Sequence, residues 1–336
     1  MLKDQPPERS KSPRRSRDKF GPNKAKIVVV GSSNMDLVVK APRIPAVGET
    51  ILGGEFLMVP GGKGANQAVA SAKLGAEGYL VAKLGHDVFG EQSLANFAKE
   101  AIRTEYVTQT GEAPSGVALI TVDAAGENVI VVAPGANGTL SPEDVEKAQP
   151  AIASSGALVA QLEVPLETVE FAARLANHSG VPFILDPAPA RALSPELLEM
   201  VDVLTPNETE AQILTGVEVT DEDSARVAAK KLLACGVKAV VLTMGAKGFL
   251  LSDNQDTQFV PALKVNAVDT TAAGDAFTGA LAVGLARGEA LREAALFANH
   301  VAALAVMTMG AQSSMPTAEQ VEGFIKFLLA TKPRRH

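Results

Sequence analysis

The chain has 336 residues, 46% of them hydrophobic, with 29 Gly and 20 Pro; this describes one large α/β domain or two ordinary ones and excludes a disordered or fibrous chain. With no Trp, 4% aromatics and one cysteine, Cys235, it excludes an aromatic stacking platform for single-stranded nucleic acid, an intrachain disulfide and a cysteine metal cluster. The formal charge of −7 is uneven: residues 1–24 hold eight basic side chains (Lys3, Arg9, Lys11, Arg14, Arg15, Arg17, Lys19, Lys24) against Asp4, Glu8 and Asp18, so the remainder carries −12.

The basic tail lacks hydrophobic periodicity and is expected to be disordered. It is compatible with a targeting segment, a weak nucleic-acid contact or an inert extension. Its own acids disfavour an organellar transit peptide, and the inert reading is preferred. The acidic body argues against nucleic-acid binding by the fold. No apolar run approaches the ~18 residues of a membrane span, and a lone cysteine suits a reducing compartment. A cytoplasmic protein is expected, with organellar or nuclear targeting by the tail left open.

Ordered structure is expected over residues 25–332, opening with Lys26–Val30. Such a continuous apolar run reads as a parallel strand buried on both faces. Ligands in open α/β sheets bind beyond the carboxyl ends of strands, which makes Gly31-Ser-Ser-Asn-Met-Asp36 a candidate site. Asn34 and Asp36 could hold sugar hydroxyls there, although both are also ordinary turn residues. Leu37 to Pro60 breaks into short strand-like pieces: Leu37–Lys40, Glu49–Leu52 and Glu55–Val59. Gly116–Val122 and Asn128–Ala133 flank a hairpin turn. Together, about 37–60 and 112–134 predict a small projecting β-sheet, a lid or a dimer surface. Pro60-Gly-Gly-Lys-Gly-Ala-Asn-Gln67 lies between them and runs into a helix stopped at Gly75. It lacks the spacing and the Ser or Thr of a Walker A loop. Its glycines allow close backbone approach, and Lys63 and Asn66 supply donors.

From Ser141-Pro142 onward strands and helices alternate, implying parallel βαβ units. Strands are predicted at Ala157–Leu162, Pro182–Asp186, Val201–Leu204, Lys238–Thr243 and Ala262–Val268. Helices are predicted at Leu166–Asn177, after Thr205-Pro-Asn-Glu-Thr-Glu210, over Asp221–Cys235, Ala276–Arg287 and Glu289–Thr308, and from Thr317. Polar residues recur after strand ends: Asn34 and Asp36, Glu163, Asn207 and Glu210, Thr243, Asp275. That recurrence points to one shared cleft. The four scattered histidines have no metal-ligand spacing.

The chain is organised around Asp269-Thr-Thr-Ala-Ala-Gly-Asp275. Ala272, Ala273 and Gly274 lead into a helix whose first amides and macrodipole attract anions. Small side chains there admit a phosphate. Asp275 is then either a simple cap or a base beside that phosphate.

Gly31–Asp36, Pro60–Gln67, Thr205–Glu210 and Val268–Asp275, in this order, resemble the ribokinase (PfkB-type) carbohydrate kinases over about residues 26–330. Gly-Gly-Lys-Gly-Ala-Asn-Gln, Ala-Ala-Gly-Asp and Gly310-Ala-Gln-Ser-Ser314 resemble the ribokinase branch more than fructokinases or adenosine kinases. The resemblance implies a ribokinase-like, doubly wound, mostly parallel sheet flanked by helices, with the small β-sheet as lid. It implies ATP-dependent phosphorylation of D-ribose at O5. Asp275 would be the base, and the amides of Ala272, Ala273 and Gly274 an anion hole. Asn34, Met35, Asp36, Gly62, Lys63, Asn66, Glu163 and Asp275 would surround ribose. Asn207 and Glu210 would organise phosphates and hydrated Mg²⁺. Thr243, Gly245, Ala246, Lys247, Gly248 and Asn299, with Gly274 and Asp275, would line the ATP site. Asp269, the carbonyls of Thr271, Ala305, Thr308 and Gly310, and the Ser314 hydroxyl would hold a monovalent cation, K⁺. A homodimer through the lid is implied, and no nucleic-acid or membrane partner.

One departure from the family pattern is Ala272, where glycine is common. Three rival readings stand beside this one. A related kinase for fructose, a deoxyribose or a nucleoside is separated by a substrate panel. A non-catalytic sugar-binding protein is disfavoured by the intact Asp275 and small-residue turn. A dinucleotide-dependent dehydrogenase would need Gly-x-Gly-x-x-Gly after the first strand, which Gly31–Asp36 is not.

Overall fold

The structure, a computed structural model, describes residues 25–331; the basic tail of residues 1–24 lies outside them. Strand β1 (Lys26–Val30) is an interior strand of the large sheet, and its residues from Ile27 to Val30 are fully buried. Alternation across the pleat sends Ile27 and Val29 into one core and Val28 and Val30 into the other, the pattern of a strand covered by helices on both faces.

The chain continues through β2 (Asn34–Lys40), β3 (Phe56–Gly61), α1 (Lys63–Lys73), β4 (Glu77–Gly85), α2 (Val88–Lys99) and β5 (Arg103–Thr110). Next come β6 (Gly116–Val122), β7 (Asn128–Ala133), α3 (Pro142–Lys147), α4 (Gln149–Ala153), β8 (Ala157–Ala160) and α5 (Leu166–Ser179). Then follow β9 (Phe183–Leu185), α6 (Pro195–Met200), β10 (Val203–Leu204), α7 (Glu208–Thr215), α8 (Glu222–Ala234) and β11 (Ala239–Thr243). The chain closes with β12 (Gly248–Asp253), β13 (Thr257–Pro261), α9 (Ala273–Ala286), α10 (Leu291–Ala305) and α11 (Ala318–Thr331).

Nine strands form the large sheet in the order β13-β12-β11-β10-β9-β8-β1-β4-β5. It is parallel from β11 to β5 and antiparallel only at the β11-β12-β13 edge. The Ala-rich pair α9 and α10 packs on one face with α1, and α5 and α8 lie on the other. No helix among the described residues is long and apolar enough to cross a membrane.

A separate four-stranded sheet, β3-β2-β6-β7, grows from the carboxyl end of β1. It starts three residues earlier than expected, at Asn34, because Asn34–Lys40 pairs with Gly116–Val122 in parallel and with β3 in antiparallel register. Glu49–Leu52, expected as a strand, is an exposed loop in which Glu49 accepts from the Ala46 amide at 3.0 Å. The expected strand Ala262–Val268 is also irregular. It follows the edge strand β13 without forming a ladder on it, and its amides turn elsewhere: Ala262 to Lys247 O at 3.1 Å and Val268 to Val306 O at 2.7 Å. Both runs have strand-like composition, but only a ladder partner makes a strand. Conversely, β4, α2 and β5 fill residues 77–110, and β12 and β13 extend the sheet, where the motifs gave no element.

Candidate active site

The carboxyl ends of the parallel strands and the starts of α1, α7 and α9 meet at one place. Gly62 begins α1 at φ 88°, and a side chain there would strike Asn34 N at 2.7 Å. Only glycine takes that conformation without strain. The first turns of α1 then carry Lys63, Asn66 and Gln67 beneath the loop that follows β1.

Asp275, in the first turn of α9, is 4% exposed. Its Oδ2 accepts from Asn66 Nδ2 at 2.9 Å and its Oδ1 from Gln67 Nε2 at 3.0 Å, while Lys63 Nζ stands 3.6 Å away. Asn66 thus holds the acid with its amide nitrogen and keeps a buried Oδ1 with no donor in the protein. A hydroxyl entering the site would satisfy that atom. Glu163 accepts from Ser32 Oγ and from the Lys63 amide at 3.1 Å. Asn34, 4% exposed, accepts at Oδ1 from Asn137 Nδ2 at 2.7 Å. Met35 is buried, with its strand neighbour Asp36 part-exposed.

Burial first, then the charges of Glu163 and Asp275, push Asp36 up to about 7. Burial opposes the Lys63 ammonium, but Asp186, Asp275, Glu163 and Glu210 outweigh it and hold its pKa above the ordinary lysine value. The folded pKa of Asp36 exceeds its unfolded value of ~3.9. Its contribution to stability is therefore complete below ~3.9 and is lost as pH rises through about 7. Asp36→Asn is expected to melt close to wild type at pH 4 and higher at pH 8, by at most the ~4 kcal/mol that about three pKa units represent and by about 2–4 °C for each kcal/mol realised. Differential scanning calorimetry checks this, and a gap that does not widen with pH overturns the assignment.

At the start of α9, Ala272 is held left-handed at φ 59°, a strain of roughly 1–2 kcal/mol for a residue with a Cβ. The tight turn lets the Ala273 amide reach Thr270 O at 3.2 Å. The amides of Ala272, Gly274 and Asp275 donate to no acceptor among the described residues. Of the three amides expected to face an anion, those of Ala272 and Gly274 are unengaged and that of Ala273 is turned to Thr270 O, while Asp275 N is unengaged beside them. Asn207 caps α7, its side chain accepting from Glu210 N at 2.8 Å while Glu210 returns to Asn207 N at 2.8 Å. Burial lifts Glu210 above the ordinary carboxylate range despite Asn207 and Lys63. Asn207 bridges to Thr243. Gly245, Ala246 and Lys247 are exposed beyond it, Gly248 is buried, and Asn299 donates to Pro261 O at 3.3 Å.

Asp269 points elsewhere. Its Oδ1 accepts from Thr271 N at 2.9 Å and its Oδ2 from Gly310 N at 2.8 Å. Burial alone would raise it, but these bonds hold it below the usual carboxylate range. The carboxylate thus clasps the two loops bearing the carbonyls of Thr271 and Gly310, and Val268 and Asp269 both donate to Val306 O beside Ala305. Ala305 O accepts from Thr308 N at 3.1 Å, and Ser314 Oγ donates to Ala311 O at 2.8 Å.

Three groups without an assigned role in the motifs complete the site. Asp186, 4% exposed, accepts at Oδ2 from Gln67 Nε2 at 2.8 Å and from Lys63 Nζ at 3.4 Å. Gln161 Nε2 donates to Gln67 Oε1. The signals available were the strand-end position of Asp186 and the place of Gln67 at the end of its motif.

An anion site at a helix start, beside a buried carboxylate and polar groups on several strand ends, suits phosphoryl transfer to a polyhydroxyl compound. Residues 24–318 match the model of the pfkB family carbohydrate kinases. The chain belongs to that family. A ribokinase of Haemophilus influenzae is 43% identical over 300 residues, 89% of this chain and 98% of that protein. A deoxyribokinase of Salmonella typhi is 40% identical over 304 residues, 89% of this chain and 98% of that protein. The solved structure of Arabidopsis thaliana ribokinase complexed with ribose and ATP has a TM-score of 0.84 at 33% identity, over 90% of this chain and 99% of that one. In this pfkB kinase no three His, Cys, Asp or Glu side chains among the described residues gather as a metal cage.

Proposed function

We propose that the chain transfers the γ-phosphoryl group of ATP to O5 of D-ribose, giving D-ribose 5-phosphate and ADP. The observation carrying this reading is the buried Asp275 carboxylate, pinned by two amides beside acceptor-free backbone N–H groups at the same helix start. In the transfer, Asp275 takes the O5 proton as O5 bonds to the γ-phosphorus. The bridging oxygen leaves on ADP. The amides of Ala272, Gly274 and Asp275 stabilise charge developing on the transferred group. Ribose lies over Asn34, Asp36, Gly62, Lys63, Asn66 and Glu163. ATP extends toward Asn207, Glu210, Thr243, Gly245–Gly248 and Asn299.

Bound Mg²⁺ would neutralise phosphate charge through water held near Asn207 and Glu210. K⁺ would sit among the carbonyls of Thr271, Ala305, Thr308 and Gly310 with Ser314 and Asp269. The clasp made by Asp269, which draws Thr271 and Gly310 together, supports that assignment. The small sheet serves as lid and as the face of a homodimer. Supporting this, Met58, Leu37, Leu119 and Val131 stand in one cross-strand row, and Met58, Leu119 and Val131 are each more than half exposed, an apolar stripe that a second copy would cover. A cytoplasmic location is retained as part of this reading.

The similarity to a deoxyribokinase favours 2-deoxyribose as the second candidate. The test is coupled ADP release over a pentose and hexose panel with Mg²⁺, in K⁺ and in Na⁺. Ribose is expected to give the highest kcat/KM and K⁺ to exceed Na⁺. Absence of ribose-dependent ADP release sinks the ribose assignment.

A further inference from the structure

We infer that Asp186 is a positioning residue for Asp275: by holding the Lys63 ammonium and the Gln67 amide, it sets the orientation and basicity of the Asp275 carboxylate. The inference rests on the kinase reading above, in which Asp275 is the base.

The geometry is a closed arrangement. The two hydrogens of Gln67 Nε2 serve different carboxylates, Asp186 Oδ2 at 2.8 Å and Asp275 Oδ1 at 3.0 Å. Gln67 cannot turn over, because its Oε1 is taken by Gln161 Nε2; the flipped amide would place nitrogen against nitrogen and oxygen against two carboxylates. Lys63 Nζ repeats the sharing, 3.4 Å from Asp186 and 3.6 Å from Asp275. The same two donor groups thus link the acids, so the position of each carboxylate fixes the donors that hold the other. Asp186 and Asp275 are each 4% exposed, where little water competes for these donors.

Around the pair stand Lys63 on α1, Glu163 after β8, Glu210 on α7 and Asp36 on β2. Burial, offset by Lys63 and reinforced by Asp275 and Glu210, holds the Asp186 carboxyl above the ordinary range. A neighbouring negative charge makes Asp275 a stronger base, and the full lysine charge would make it a weaker one. Asp186 supplies the first and limits the second. Asp186→Asn keeps the shape and an acceptor for Gln67 but removes the charge, which leaves Lys63 to Asp275.

In the full-length chain, D186N is expected to lower kcat about tenfold at pH 7 with KM for ribose within roughly threefold. The acid limb of kcat moves to lower pH. The ¹³C carboxyl resonance of Asp275, assigned by its loss in D275N, changes its titration when Asp186 loses its charge. An unmoved acid limb and midpoint overturn the inference. The NMR reading needs no substrate. Failure of wild type to turn over ribose therefore sinks the ribose assignment alone, and a fixed Asp275 midpoint sinks this inference alone. If D186N does not fold, the wild-type resonances decide. Asp186 and Asp275 must each show an inflection at the other's midpoint, and independent single-step titrations overturn the coupling.

Discussion

Replacing Asp275 by asparagine is expected to lower kcat by ~10²–10⁴-fold, the usual contribution of a positioned general base, while ribose affinity stays within a few-fold. The carboxylate receives Asn66 Nδ2 and Gln67 Nε2 on its two oxygens. An asparagine can accept from only one of them and presents its own NH₂ to the other. That mismatch costs about 1–3 kcal/mol of stability, so the variant should fold but melt lower. Coupled ADP release gives kcat, and calorimetric titration with ribose gives affinity. A variant turning over within a few-fold of wild type removes Asp275 from the base role. A variant that has lost ribose binding along with turnover reassigns Asp275 to sugar recognition.

The second large effect is expected from a residue that touches no substrate. A Cβ on Gly64 would lie 2.6 Å from Gly31 C and from Ser32 N, and 2.8 Å from Gly31 Cα. All three are backbone atoms, so no side chain can swing aside. Alanine would add up to ~1 kcal/mol of helix propensity, but overpacking costs about 1–3 kcal/mol, and the clash prevails. Relief requires the start of α1 to withdraw from the end of β1 by about 1 Å. Lys63, Asn66 and Gln67 ride on that turn. Misplacement on this scale can cost ~10² in rate, so Gly64→Ala is expected to lose about 10²-fold in kcat/KM and several degrees in Tm. Activity within threefold of wild type would show that α1 and β1 are not held in register by this contact.

Much of this arrangement was legible in local patterns. Val28, Val29 and Val30 in an unbroken run are the pattern of a strand covered on both sides, and β1 is one, although Val129–Val132 in β7 is an equally unbroken run and is exposed. Gly116–Val122 and Asn128–Ala133 form the hairpin their turn residues require. Asn207 and Glu210 carry the spacing of a capping box and make one. Ala262–Val268 shows the limit of such reading. Its composition is that of a strand, yet whether a strand forms depends on a neighbouring edge that no window of sequence contains.

The site divides in the same way. Four motifs announce Asn34, Lys63, Asn66, Asn207 and Asp275, since glycine turns and helix starts leave local signatures. Asp186 and Gln161 leave only their strand-end positions, a weak signal because an acid or amide at the end of a strand is common. They acquire meaning because β8 and β9 lie side by side while α1 packs on the neighbouring β1 and β4 and against α9, which brings Gln67 to Asp186 across 119 residues and to Asp275 across 208. The order of elements, the glycines that permit close approach and the acid at the start of α9 were determined by the sequence itself. Which donors that acid shares, and with which second carboxylate, was decided only by tertiary packing, because hydrogen bonds and charge act over a few ångströms of space regardless of separation along the chain.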